Sequence, residues 1–496
     1  MSVSILKVAL ATADYFIKLM ETLQVFYTIP YLNILQTLVK SHRAKAFLVG
    51  GALRDYFLKK ECSDFDFATS RHAIKIARAF AKKIHGAFVL LDEEHHCARV
   101  ARKEKGSLLT FDFADFRDKG LKGDLAHRDF TVNALAVDLK DLSAQKPLED
   151  ILIDVKHGLA HLRAKKIKMV SAQAFVEDPL RMVRAFSLRA AFHLTIEPRT
   201  LMQIKKDVDR LSSVARERVR DELFKVLSSS HAFENLKAMQ RVGLLERIIP
   251  QIAIMYHLPQ GGYHHLSLLD HSFETVHQIE KIFVEFKNHP KIKEHLEEKL
   301  AFGRNRESLL KLAALLHDVG KPETCRKEKG KMTFHGHEHS GRYIVRNVAK
   351  MLKLSSLEKN ALETMVLHHL RPGYLSNFKT PTPRAIFRYF RDSGSEAISV
   401  LLLSLADQWS TKGPLSTEAH ERHHEKIVRK LFDEHLNKKE VKKRVRLLTG
   451  DDLIRKLKLK PSPIFKKILA AVDEKQALGE IITKQEALEA ARRMAK

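Results

Sequence analysis

Cysteine is scarce in this chain: Cys62, Cys97 and Cys325 are the three in 496 residues, an odd number with no Cys-x-x-Cys spacing. That excludes a disulfide framework and a zinc ribbon and suits a reducing compartment, the cytoplasm. Long apolar runs are missing too. Residues 22–39 carry no charge, but Gln24, Pro30, Asn33, Gln36 and several threonines make them too polar to span a bilayer. The first ten residues carry one basic side chain, Lys7, and no small-residue cleavage site follows a compact apolar core, so neither a secretory leader nor a membrane partner is expected. There is one tryptophan and no aromatic RNA-recognition signature. Acidic residues are the minority, 60 against 87 Lys and Arg, which leaves a net charge of +27 spread along the whole chain. A polyanion is the expected partner.

What is present is a soluble globular composition, 44% hydrophobic and 30% charged, long enough for roughly three domains. From 46 to 141 short β-type runs (46–49, 65–67, 88–91, 108–113 and 133–139) alternate with helical stretches such as 73–83, the pattern of an α/β unit. After 142 amphipathic helical spacing dominates, as in 178–191, 219–227, 309–316 and 362–367. No repeat of fixed period and no low-complexity segment interrupts it beyond basic clusters such as 438–446.

Three segments of the α/β unit carry chemistry. Val49-Gly50-Gly51-Ala52-Leu53-Arg54-Asp55 reads as strand, diglycine turn and helix start. Gly50 and Gly51 let backbone N–H groups approach an anion, the helix N-terminus adds positive potential, and Arg54 can meet a phosphate. In Ser63-Asp64-Phe65-Asp66-Phe67, strand alternation turns Asp64 and Asp66 to one face and the phenylalanines to the other. Paired carboxylates need a cation, and Mg²⁺ binds through one or two carboxylates plus substrate phosphates. Asp112, in Thr110-Phe111-Asp112-Phe113, is a candidate third carboxylate for two-metal phosphoryl transfer.

The diglycine-Arg-Asp turn followed by Asp-x-Asp resembles the tRNA nucleotidyltransferase and bacterial poly(A) polymerase family, the class II CCA-adding group. Three later blocks extend the resemblance: His127-Arg128-Asp129-Phe130-Thr131-Val132-Asn133-Ala134, with His127 in place of the family's first arginine; Glu177-Asp178-Pro179-Leu180-Arg181-Met182-Val183-Arg184; and Arg216-Glu217-Arg218 with Glu222. The resemblance implies that Asp64 and Asp66 are catalytic, that Arg128 meets the nucleotide's sugar or phosphates, and that Asp178 and Arg181 recognise the base. Three residues apart on a helix, that pair would share one face. A carboxylate accepts from an exocyclic amino group while a guanidinium donates to ring acceptors, a combination offered by cytosine and adenine but not by uracil and guanine. Arg184 would extend the basic surface. Ser187 stands where the family commonly has another arginine, so one phosphate or base contact is either missing or supplied by Arg189. The turn Asp154-Val155-Lys156-His157-Gly158 departs from the family's hinge and leaves open which of C, C and A are added.

His271, His317-Asp318 and Asp407 lie far apart in sequence, each in an amphipathic helical stretch. Their order resembles the HD phosphohydrolase superfamily, as does Leu315-Leu316-His317-Asp318-Val319-Gly320-Lys321. His337, His368 and His369 could hold a second ion, and the donor set suits Mn, Ni, Fe or Zn better than Mg. His264, His265, His335 and His339 read as surface residues. The segment from Leu448 to Ile481 also resembles the end of HD-containing family members.

The expected fold is α+β: a nucleotidyltransferase head with a mixed sheet, then an all-helical body including an HD domain. Its parts would be N-terminal helices (1–45) packed on the head (46–141), a helical neck for nucleotide recognition and RNA binding (142–250), the HD metal domain (251–430) and a C-terminal helical segment (431–496). The expected activity is template-independent addition of C and/or A to tRNA 3′ ends, with ATP, CTP, tRNA and Mg²⁺ as partners and a transition metal in the HD site. A poly(A) polymerase, or an HD phosphohydrolase with a non-catalytic head, stays open at this point, as does the oligomeric state.

Overall fold

The computed structural model describes residues 31–104, 106–143, 147–260, 265–328, 331–413, 416–436 and 446–495. The chain forms two compact units, Met1–Val214 and Ala215–Lys496. The break falls inside the stretch suggested as a single neck: residues up to Val214 group with the head and the rest with the HD helices. Residues 1–30 of the expected N-terminal helices lie outside the described residues.

The first unit is built on a seven-stranded sheet: β1 (Ala46–Val49), β2 (Asp64–Thr69), β3 (Ala87–Asp92), β4 (Cys97–Glu104), β5 (Ser107–Asp115), β6 (Ala136–Asp138) and β7 (Leu152–Ile153). Their order is β3-β4-β5-β2-β1-β6-β7, and only the β2–β5 pair is parallel, so the sheet is mixed as expected. The period-2 pattern of β2 decides what each face becomes. Phe65 and Phe67 stack on Phe111 and Phe113 of β5, and those two β5 rings are met edge-on by Phe80. Phe80 lies on α3 (Ala73–Ile84), which buries Ala73, Ile76, Ala77, Phe80, Ala81 and Ile84, an i, i+3/i+4 stripe. α1 (Leu32–Ser41) adds Leu35 and Val39 to the same core, whereas α2 (Gly51–Phe57) follows the diglycine turn. With one face filled by aromatics, Asp64, Asp66 and Asp112 are left on the other.

The second unit is not wholly helical. Two short hairpins interrupt it, Lys299–Ala301 with Arg304–Asn305 and Arg326–Glu328 with Lys331–Thr333. Its core helix, Ala397–Ser410, is buried along nearly its whole length. The last segment has its own small core, Leu453, Ile468, Val472, Ala487 and Ala491. A capping box at Thr449 and Asp452 starts its first helix. Among the described residues, no helix is long and apolar enough to cross a membrane.

Candidate active site and metal centre

In the head, the parallel register sets Asp66 beside Asp112 and Asp64 beside Thr110. Thr110 Oγ1 donates to Asp64 Oδ1. Asp112 accepts two hydrogen bonds from Arg99, both 2.7 Å, because β4 pairs with β5 and places Arg99 directly opposite. Burial, reinforced by Asp64 and Asp112, pushes the Asp66 carboxyl up to about 6, even though Arg128 opposes the rise. The cluster therefore carries uncompensated negative charge, the condition under which a divalent cation binds. Asp64 and Asp66 fit that role; Asp112 sits beside them with both its oxygens held by Arg99.

Gly50 explains how Arg128 comes so close. Its φ is +79°, and a Cβ there would lie 2.8 Å from Arg128 Nη1 and 3.0 Å from Asp66 Oδ2. Only glycine suits both the backbone and the approach. Arg128 also faces Asp124 at 3.4 Å. Gly51 begins α2 and sits against the Arg54 guanidinium. Arg54, expected to meet a phosphate, is buried, donates to Asp55 and to Asn133 Oδ1, and lies over the Phe192 ring. Its role is to tie the turn to the Arg128 block. Asp129 continues the network, accepting from Asn133, from the Phe130 N–H and, at 3.3 Å, from half-exposed Arg184. Burial would raise the Asp129 carboxyl, but Arg184 and these hydrogen bonds hold it below the ordinary range.

The recognition segment differs from the expected helix face. Asp178 lies in extended backbone (φ −144°) between α5 (Ala174–Glu177) and α6 (Leu180–Phe192), and its Oδ1 accepts from the Leu180 N–H. Pro179 forces the break, since the residue before a proline avoids the helical region. Arg181, in the first turn of α6, is buried and donates to the Ala174 and His127 carbonyls and to Glu177. The pair therefore does not share a helix face; Arg181 anchors the segment while Asp178 stands at its edge. Ser187 is buried, its hydroxyl turned to the Arg184 carbonyl. Arg99, Thr110, Asp124 and Asn133 escape sequence reasoning; the Arg99–Asp112 pairing depends on the β4–β5 register, which the sequence does not show.

In the second unit five helices converge on a buried centre. His271 comes from α7 (Leu268–Phe286), His317 and Asp318 from the end of α8 (Arg306–Leu316), His337 from the start of α9 (His337–Met351), His369 from the end of α10 (Ser356–His368), and Asp407 from the core helix. His271 Nε2 lies 3.0 Å from Asp407, and His317 Nε2 lies 3.2 Å from Asp318 Oδ2. The other Asp318 oxygen faces His337 at 3.1 Å and His369 at 3.6 Å. Two ligand groups result, His271-His317-Asp407 and Asp318-His337-His369, with Asp318 between them. The Nδ1 atoms of His317, His337 and His369 lie 2.6–2.8 Å from the carbonyls of Ala314, Phe334 and Val366. Donation from Nδ1 fixes the tautomer and aims each Nε2 lone pair inward, as in metal-binding histidines. Gly320 makes the convergence possible, because a Cβ there would meet the His337 carbonyl at 2.2 Å. Burial works against the His317 charge, yet Asp318 and Asp407 overcome it and raise the imidazole to about 10.

His368 is the exception among the expected ligands. It points away from the centre toward Arg371 and Asp392, and burial lowers it to about 4. His265, His335 and His339 are exposed as expected, and His264 lies outside the described residues.

A parallel-containing sheet with Asp-x-Asp on its open face, followed by a buried histidine-aspartate centre, defines a nucleotidyltransferase head joined to an HD domain. The chain matches the poly A polymerase head domain over residues 46–168, the probable RNA and SrmB binding site of polymerase A over 193–255, the HD domain over 268–412 and the putative tRNA nucleotidyltransferase domain 2 over 417–491. It is 32% identical over 454 residues, 89% of this chain and 94% of the relative, to an A-adding tRNA nucleotidyltransferase of Deinococcus radiodurans. A CC-adding tRNA nucleotidyltransferase of Synechocystis is 29% identical over 91% of this chain and 94% of its own length. A CCA-adding enzyme solved with ATP shares the fold at a TM-score of 0.62 and 21% identity, covering 96% of this chain and 98% of that one. The chain belongs to the tRNA nucleotidyltransferase family.

Proposed function

We propose that this protein is a template-independent enzyme that adds nucleotides to the 3′ end of tRNA in the cytoplasm, with A among those it adds. The observation that carries the reading is the face of β2, which Asp64 and Asp66 share and where Asp66 meets Arg128 across Gly50. The reaction joins a tRNA 3′ oxygen to the α-phosphorus of ATP or CTP and releases pyrophosphate. Asp64 and Asp66 would hold Mg²⁺, which when bound neutralises phosphoryl oxygens and favours the ionised 3′ oxygen. Arg128 faces the triphosphate or sugar, and Arg184 extends the positive rim. Asp178 accepts from the exocyclic amine of C or A, and Arg181 holds the recognition segment against the His127 carbonyl. The A-adding relative, similar along 94% of its length, supports A as a substrate. The three cysteines, all free, fit a reducing compartment. The test is to incubate the protein with Mg²⁺, each labelled nucleotide in turn, and tRNAs that end before the first C, after CC, or complete. Addition of a single A to the CC-ending tRNA is expected; open-ended A tracts on single-stranded RNA would replace this reading with a poly(A) polymerase.

A second activity rests on the HD centre. The inward-facing Nε2 atoms of His271, His317, His337 and His369, with Asp318 and Asp407, suit two transition-metal ions such as Mn, Ni, Fe or Zn. Such a pair supports phosphoester hydrolysis.

A further inference from the structure

The second unit carries a groove that neither acidic centre uses. It has a volume of about 920 Å³ and is lined by Lys379, Arg422, His423, Lys426, Arg429 and Lys430. Its carboxylates are Glu425 and Asp433, so cations outnumber anions five to two with histidine neutral. One wall is α13 (Glu418–Leu436), on which Arg422, Lys426 and Lys430 recur every fourth residue and stack along one face about 6 Å apart. The other wall follows α11 (Arg371–Ser376), held to α13 where a ring nitrogen of His423 lies 3.1 Å from the Phe378 carbonyl oxygen.

The distribution of ion pairs separates this groove from an ordinary solvated helix face. Arg429 is committed to Glu425 and Glu285 at 2.7 and 2.6 Å. Arg422 and Lys430 make only long contacts, 3.4 and 3.8 Å, to Glu418 and Glu434, and exposed pairs of that kind hold a cation weakly. Lys379 and Lys426, both exposed, form no ion pair among the described residues. The chain that leads into Lys379 is itself open to solvent: Phe378, the preceding residue, is 63% exposed. A row of uncompensated cations along a groove fits a nucleic-acid strand, whose phosphates recur along its backbone and meet them in turn.

We infer that this groove is a second RNA-binding surface, in which Lys379 and Lys426 meet phosphates of the tRNA backbone away from the chemistry. The inference rests on the tRNA reading above. It adds grip on the RNA, not catalysis, so its signature is electrostatic. Full-length protein is titrated with fluorescently labelled tRNA at a series of salt concentrations, comparing the wild type, Lys379→Glu/Lys426→Glu, and Lys82→Glu/Lys83→Glu. The last variant makes the same charge change on the exposed side of α3.

Each phosphate-bound lysine contributes about 1 to the slope of log affinity against log salt, so the groove variant should lose about 2 from that slope while the control loses none. In steady-state addition the groove variant's KM for tRNA should rise, with kcat and the KM for ATP unchanged. A groove variant whose slope and KM match the control overturns the inference. Failure of the wild type itself to bind or extend tRNA would overturn the substrate reading instead, and the two failures are told apart by the wild-type titration alone.

Discussion

In the head, Asp64 and Asp66 stand on an open strand face with Arg128 beside them, and burial pushes Asp66 up to about 6. In the HD centre, Asp318 and Asp407 are enclosed by four imidazoles and Lys321, whose Nζ lies 2.5 Å from Asp318. Lys321 also donates to Gln260. Burial would raise both HD carboxyls, yet the surrounding imidazoles and, for Asp318, Lys321 hold them well below the ordinary range. The contrast teaches where each site gets its positive charge. The HD centre carries most of it in its own side chains and can compensate itself with a proton. The head lacks enough of its own and depends on what arrives, a cation and a triphosphate. A site that must release its product suits the second arrangement; a closed metal centre suits the first.

The comparison breaks most visibly if the head is emptied of carboxylates. Asp64→Ala should lower nucleotide addition by about a thousandfold or more, because interactions worth several kcal/mol with the transferring phosphate are lost. tRNA affinity should stay near wild type, since the net charge of +27 is almost unchanged. Addition kinetics and a tRNA titration measure the two separately, and near-normal turnover would remove the carboxylate assignment.

The HD centre predicts a countable change. His369→Ala should reduce bound Mn²⁺ from two ions to one, read by elemental analysis after dialysis, because it strips one ligand group while His271, His317 and Asp407 remain. Binding should also strengthen as pH rises from 7 toward 10, since the metal must displace the proton that Asp318 and Asp407 hold on His317. An unchanged count, or affinity flat across that range, would contradict the two-group geometry.

A smaller effect tests the edge position of Asp178. Asp178→Ala should cost about 1–3 kcal/mol of discrimination for A and C over G and U, measured as a ratio of kcat/KM values. Uniform slowing with unchanged preference would return the residue to a turn-stabilising role.

The smallest concerns stability and fixes the sign of the head's charge imbalance. A carboxyl raised to about 6 binds more protons folded than unfolded, so its contribution falls as pH rises through the window from about 4 to 6 and stays low above it. Without divalent cations, Asp66→Asn should therefore be more stable than wild type by about 2 kcal/mol at pH 7, with the gain vanishing near pH 4. Denaturant titrations at both pH values check it.

Much of this was legible in the chain because period-2 alternation exposes a strand's chemistry directly: Phe65 and Phe67 had to face one way and Asp64 and Asp66 the other. The strand at 97–104 was not, since Cys-Ala-Arg-Val-Ala-Arg-Lys-Glu buries little beyond Ala98 and Val100 and reads as a charged loop. With it went Arg99, the partner of Asp112. Asp178 and Arg181 looked like helix neighbours by spacing alone, and Pro179 shows why spacing was insufficient. Arg54 illustrates the same gap: a turn sequence cannot tell whether an arginine faces a ligand or the Asn133 amide. The six residues of the two candidate ligand groups could be named from the order of residues, but choosing His369 over His368 required the end of α10, where neighbouring side chains diverge by roughly 100°.

Nucleotide addition is expected to belong to the head and not to the HD centre. This is tested most directly with His317→Ala/Asp318→Ala, supplied with Mg²⁺, ATP and a tRNA ending in CC, by following the product ladder over time. The account predicts one added A at the wild-type rate with transition-metal binding lost. Loss of addition in a variant that still binds tRNA as the wild type does would contradict it.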